Sequence, residues 1–356
     1  MKKIVLVAVT IVLGSLIFQS CAPTNPHLTE AKISMNRDDM QKAQKELSLV
    51  LEQQPDNVEA AYLEGYIHFK QENWAKMYDS FAKVKSLDPV YEKENIDNMS
   101  TKAFGTLRGS GINDKFNKAV KLLNAEVVEA EQAEKLFNAA LTDLELADKY
   151  KNDDFITKDI IATIYLQLKN PDKAIEKFNE CIPYAKPESD LKNLVSVYIN
   201  LYNLYTEKAE SEKAVEMLNK VLELDPNSKE ALLQLAKYYE GKNEYDKALP
   251  FYERLIVLDP ENTDILFNQG VLFSKNKATD KAIENFEKII QINPNDQETI
   301  YFLTVFYNDA AKYQKIVELI EPKFEAFSAE YKEKIKDYIQ IALVKVGRAK
   351  DAKKYQ

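Results

Sequence analysis

Histidine, cysteine and tryptophan are nearly missing from this chain, which has two, two and one of them in 356 residues. Two cysteines, Cys21 and Cys181, cannot build a disulfide framework. The histidines, His27 and His68, sit in no His-x-x-x-His, Cys-x-x-Cys or Glu-x-x-His array, so no metal site is expected. No serine or cysteine stands in a nucleophile-elbow context. Glycine (8) and proline (12) are scarce, while Lys, Glu, Leu and Ala abound, which suits an all-helical chain. Positive charge is in deficit. The net charge of -9 repels a phosphate backbone, so nucleic acid is not an expected partner. Acid pairs such as Asp38-Asp39 and Asp153-Asp154 are read as caps and solvated helix faces.

One glycine cluster, Gly105-Thr-Leu-Arg-Gly-Ser-Gly111, invites comparison with a phosphate-cradling loop. Such a loop needs a strand before it and a helix opening on Lys-Ser/Thr after it, and neither is present. The expected use of these glycines is close helix packing or a bend. With no cofactor motif and no catalytic constellation, the chain reads as a non-enzyme that needs no cofactor.

What the chain does contain is a period. Pro226, Pro260 and Pro294 stand 34 residues apart, closing VLELDPNS, LIVLDPEN and IIQINPND. Twelve residues before each proline is an alanine (Ala214, Ala248, Ala282), and eight before each is a large apolar residue (Leu218, Tyr252, Phe286). A fixed period of this length means stacked supersecondary units, not one closed globule. With the proline at place 32, helix A is predicted over places 2 to 13 and helix B over 15 to 28. Places 4, 7, 8 and 11 share one face of helix A: Leu232, Leu235, Ala236 and Tyr239, then Leu266, Gln269, Gly270 and Phe273. Places 20, 24 and 27 form the matching face of helix B: Ala248, Tyr252 and Leu255, then Ala282, Phe286 and Ile289. Small residues at 8 and 20 let the axes approach, and large ones at 11 and 24 fill the space beside them. The proline ends helix B by pushing the residue before it out of helical geometry.

These phrases resemble the tetratricopeptide repeat (TPR), a two-helix unit of this period. The resemblance implies an all-α, right-handed superhelical solenoid of stacked TPR helix-turn-helix repeats, about eight in number. Pro55 and Pro89 extend the register towards the N-terminus, with Ala31, Ala43, Leu47 and Val50 in a first repeat whose helix A is expected to be short and frayed. Gly65 and Phe81 take places 8 and 24 of the second, and Trp74 opens its helix B as a packing residue. The pattern loosens over 90–152. There a long helix over Val90–Arg108 is expected, then a separate hairpin of Asn113–Ala125 and Glu129–Lys149. Ala140, Leu144 and Ala147 restore the register, followed by Ala174, Phe178 and Cys181, the last read as inert packing. Pro183 and Pro187 mark an insertion, since Ala174 to Ala214 spans 40 residues. Pro250 predicts a mild kink in its helix. The array is thus divided into 29–187, a regular part over 188–322, and capping helices over 323–356 closed by Gly347.

The chain begins as an export signal over 1–20, with Lys2 and Lys3 before the apolar run Ile4–Phe18. Phe18-Gln19-Ser20-Cys21 then resembles a lipobox. That resemblance implies lipid on Cys21, a tether over 21–28, and a bacterial envelope protein held at a membrane, with the outer membrane facing the periplasm as the favoured side. For TPR arrays, the resemblance further implies that places 2, 5, 9, 12 and 13 of helix A line a concave groove. Here those places bring Tyr62, Tyr66 and Phe69 at one end and Phe267, Val271, Tyr301 and Val305 at the other, with Ile199 and Asn203 between. Lys at place 5 with Asn at place 9 would clamp a carboxylate. Only Asn203 fits, and Ile199 stands where the Lys belongs, so that clamp is absent. An apolar, aromatic groove suits an amphipathic helix or an extended peptide. A protein or peptide partner is therefore expected, with a glycan or peptidoglycan adaptor as the other reading.

Overall fold

The structure is a computed structural model that describes residues 25–124 and 130–355; the expected signal and Cys21 lie outside them. Every element among the described residues is helical. The chain divides into two compact units, one ending at Ile164 and the other beginning at Tyr165.

In the first unit, α1 (Pro26–Asn36) pairs with α2 (Met40–Gln53), and α3 (Val58–Lys70) with α4 (Trp74–Leu87). The first helix is eleven residues long. It starts at Pro26, inside the stretch expected to be tether, because the Asn25 side chain accepts from the His27 N–H and proline at the first turn loses no bond. His27 Nδ1 then lies 2.6 Å from Glu46 of α2, and Lys42 pairs with Glu30. Ala31, Ala43, Leu47 and Val50 are fully buried, as their places require.

The expected break after Arg108 does not occur. α5 (Lys93–Gly109) runs through a π-helical stretch, Ser110–Phe116, into α6 (Asn117–Leu123). This long helix packs on α7 (Ala130–Tyr150). Gly111 explains the closeness: a Cβ there would sit 2.6 Å from Cγ of Leu144. Gly105 and Gly109 face open space and have no such role. Lys115–Asp143 at 2.5 Å and the Tyr150 hydroxyl, which donates to the Trp74 carbonyl, fasten the hairpin and its neighbour. α8 (Phe155–Gln167) crosses the unit boundary.

The second unit continues with α9 (Pro171–Cys181), α10 (Pro187–Glu207) and α11 (Ser211–Leu224). The inserted residues form a 3-10 turn over Ile182–Tyr184 and lengthen α10 at its N-terminal end. Cys181 is fully buried, its thiol 3.1 Å from the Phe178 carbonyl. Three regular hairpins follow, built on α12 (Lys229–Gly241) with α13 (Tyr245–Leu258), α14 (Thr263–Lys275) with α15 (Thr279–Ile292), and α16 (Gln297–Asp309) with α17 (Tyr313–Ile320). α18 (Ala329–Lys345) covers the last apolar face, and two residues beyond its end Gly347 takes a φ of +84°, which only glycine adopts freely.

The place-by-place packing holds. Gly270 lies so close to Phe286 that a Cβ would meet the ring at 2.9 Å, and Gly65 meets Phe81 in the same way. Gln269, an unexpected polar residue at a core place, is answered by Asn285 on α15, whose amide donates to it at 2.7 Å. Buried polar groups cost little once paired in this way.

Candidate functional site

The A helices α12, α14 and α16 start the same way. Ser228 accepts from the Ala231 N–H, Asn262 from the Ile265 N–H, and Asp296 from the Glu298 and Thr299 N–H groups. Three first turns are thereby fixed at the 34-residue spacing. Together they frame an open cleft of about 690 Å³.

Leu233, Ile265 and Phe267 supply its apolar lining, and Asn268 stands beside them with no hydrogen-bond partner among the described residues. Exposed carboxylates line one edge: Glu230, Asp264 and Glu298, the residues at place 2 of the three helices. None has an ion-pair partner among the described residues. Elsewhere the same place is paired, as in Glu59–Lys32 at 2.6 Å, or neutral, as in Ser196. Lys229 is neutralised by Asp259 at 3.0 Å, which leaves Lys237 as the unpaired cation of the cleft.

The expected groove residues fall into separate groups. Phe267 lines the cleft but is half-buried, its ring edge-on to Phe286 at 5.4 Å and to Phe302 at 5.2 Å. Tyr301 packs edge-on against Phe302. Val271 packs on the same core, and Val305 is partly exposed on α16. Ile199 packs beneath α11 and α12 beside Tyr202. Asn203 is exposed at a separate shallow hollow with Asn200 and Glu207.

In the first unit, Tyr62 stacks on Phe81 at 6.0 Å and meets Tyr91 edge-on at 5.7 Å. Burial, reinforced by Glu92, pushes its hydroxyl pKa up to about 12. Tyr66 borders a small hollow with Met35, Met40 and Lys70, and Phe69 is edge-on to Trp74. Tyr62 and Phe69 thus pack against neighbouring rings and stay partly exposed. The acidic column at place 2 and Asn268 escaped attention at sequence level, although the recurrence of acid at 230, 264 and 298 was there to be counted.

No cluster of metal-ligating side chains occurs among the described residues, and none of the described helices is long and apolar enough to cross a membrane. His68 is buried as its place predicts. Burial lowers its pKa, and its Nδ1 lacks a partner, which suits a neutral packed imidazole.

Comparison with known proteins agrees with this architecture. Family models described as "Tetratricopeptide repeat" match residues 208–268 and 263–296, so TPR units occur over 208–296. No curated protein matches. Among solved structures, the chain is similar to the MamA protein (23% identity, 45% of this chain and 87% of that one, TM-score 0.38). It is also similar to the C-terminal part of a TPR repeat-containing protein from Cytophaga hutchinsonii (16% identity, 64% and 92%, TM-score 0.41). A third is YrrB, titled a TPR protein with an unusual peptide-binding site (18% identity, 52% and 96%, TM-score 0.36). A TPR solenoid is the class of protein that the helical hairpins and the repeat matches define. Such folds are generally non-catalytic scaffolds for protein interactions.

Proposed function

We propose that this protein is a membrane-anchored scaffold that binds a protein or peptide partner in the cleft formed by α12, α14 and α16. The observation that carries this reading is the cleft itself: an apolar lining, open to solvent, framed by three equivalent helix starts. The anchor is lipid on Cys21, supported by the basic start, the apolar run and the small Ser20 before the cysteine. Each methylene inserted in the bilayer contributes about 0.8 kcal/mol, so more than one acyl chain holds the protein firmly. The place of action is the bacterial envelope, with the outer membrane facing the periplasm as the favoured side.

Labelled palmitate incorporation should disappear in Cys21→Ala; label that persists ends the anchor reading. For the groove, a photo-crosslinking residue replaces Lys237, which is exposed in the cleft, with the exposed Lys288 of α15 as the control position. Discrete protein adducts at 237 and not at 288 are expected in intact envelopes. Polysaccharide adducts would transfer the site to the glycan-adaptor reading, and equal yields at both positions would end the groove reading.

A further inference from the structure

We infer that the occupant of this cleft is an extended segment carrying basic side chains beside an apolar one. The inference rests on the groove reading above and adds the chemistry of the partner.

Three features converge. The apolar lining from Leu233, Ile265 and Phe267 offers a place for an uncharged side chain. Asn268 presents an unused amide, which has both donor and acceptor and therefore matches a peptide backbone that must keep its own hydrogen bonds. Along the edge run Glu230, Asp264 and Glu298, exposed and unpaired, with the Asp296 carboxylate beside them.

The field has contributions of both signs. Each helix start carries about half a positive charge. Three of them and Lys237 come to about +2.5, against four carboxylates, with Lys229 cancelled by Asp259. The edge therefore remains negative. The first-turn N–H groups, the donors open to an anion, are already partly spent on Ser228, Asn262 and Asp296. Low-dielectric walls on one side strengthen this residual field in the groove. Acid at the first turn also suits each helix on its own. What is particular here is that the three acids share one open edge and lack lysine partners among the described residues, whereas Glu59 has Lys32.

The three helices span roughly 20 Å, which an extended chain of about six to eight residues covers. The experiment uses the full chain and three labelled octapeptides with the same leucine centre, flanked by lysine, glutamine or glutamate, read by fluorescence anisotropy. The lysine peptide should bind about tenfold tighter than the glutamine one, with the difference shrinking as salt rises. The variant combining Glu230→Gln, Asp264→Asn and Glu298→Gln should equalise the peptides. These positions are exposed and the changes isosteric, so helicity by circular dichroism should stay unchanged. Equal binding of all three peptides overturns the inference but leaves the groove reading in place. Preference for the glutamate peptide overturns it by reversing the partner's charge. Binding of none overturns it too, and crosslinking at position 237 then decides the groove reading separately.

Discussion

Ala311 turns the backbone left-handed, at φ +54°, between α16 and α17. It is one of a series: Asp38, Glu72, Lys169, Ala209, Asn243 and Lys277 all lie between +56° and +59° in the turn between A and B helices. In each, the next N–H reaches back to a carbonyl of the last helical turn, as Lys312 does to Tyr307 at 2.7 Å and Glu210 to Tyr205 at 2.8 Å. This closure normally falls to glycine, which has no Cβ to strain. The rarity of glycine in the chain thus has a location. Ala209→Gly and Ala311→Gly should each raise the urea unfolding midpoint, by about 1 kcal/mol of stability, because the strain of a side chain in this region is removed. The opposite sign is expected for Gly270→Ala. There a Cβ would meet Phe286 at 2.9 Å, and overpacking of this kind costs about 1–3 kcal/mol.

Among the elements, α8 depends on a cap that reaches beyond its own sequence. The Asp154 carboxylate accepts from the Thr157 N–H at 3.0 Å and hydroxyl at 2.6 Å, and from Arg108 of α5 at 3.1 Å. Burial alone would raise its pKa, but these donors outweigh burial and hold it below the ordinary carboxylate value. The folded-state pKa is the lower one. Its contribution is therefore complete above about pH 4, where the unfolded carboxyl ionises, and is lost as pH falls through the folded value. Asp154→Asn should cost about 1 kcal/mol at neutral pH and flatten the decline of the urea midpoint in acid. An unchanged acid limb would remove the carboxylate from this role. The long helix through α5 and α6 runs on where a separate hairpin is expected to begin. Close packing or a bend is the expected use of all three glycines; helix geometry continues past Gly105 and Gly109, and only Gly111 serves close packing, against Leu144.

For the molecule as a whole, repeats touch mainly their neighbours, so damage should stay local. Phe286 is fully buried and stacks on Phe302 and Phe306 of the following helix. Phe286→Ala should cost about 3–5 kcal/mol and raise hydrogen exchange in α14 to α16 while leaving α1 to α4 near their original protection. Uniform loss of protection would mean that the array unfolds as a single block.

Local spacing was enough to find the hairpins. Residues three and four apart share a helix face, and the 34-residue recurrence of Ala, a large apolar residue and Pro places those faces against each other. Hence Ala248, Tyr252, Leu255, Ala282 and Phe286 could be named as core from the sequence, and each is buried. Surface function does not follow from spacing, because exposure is set by side chains of other repeats. Tyr62 and Phe267 occupy groove places, but Phe81 and Tyr91 flank the first, and Phe286 and Phe302 the second, which leaves both only partly exposed. Only packing between neighbouring hairpins decided which carboxylates stay unpaired beside an open cleft, since a lysine's reach across to the next helix is a matter of distance in space.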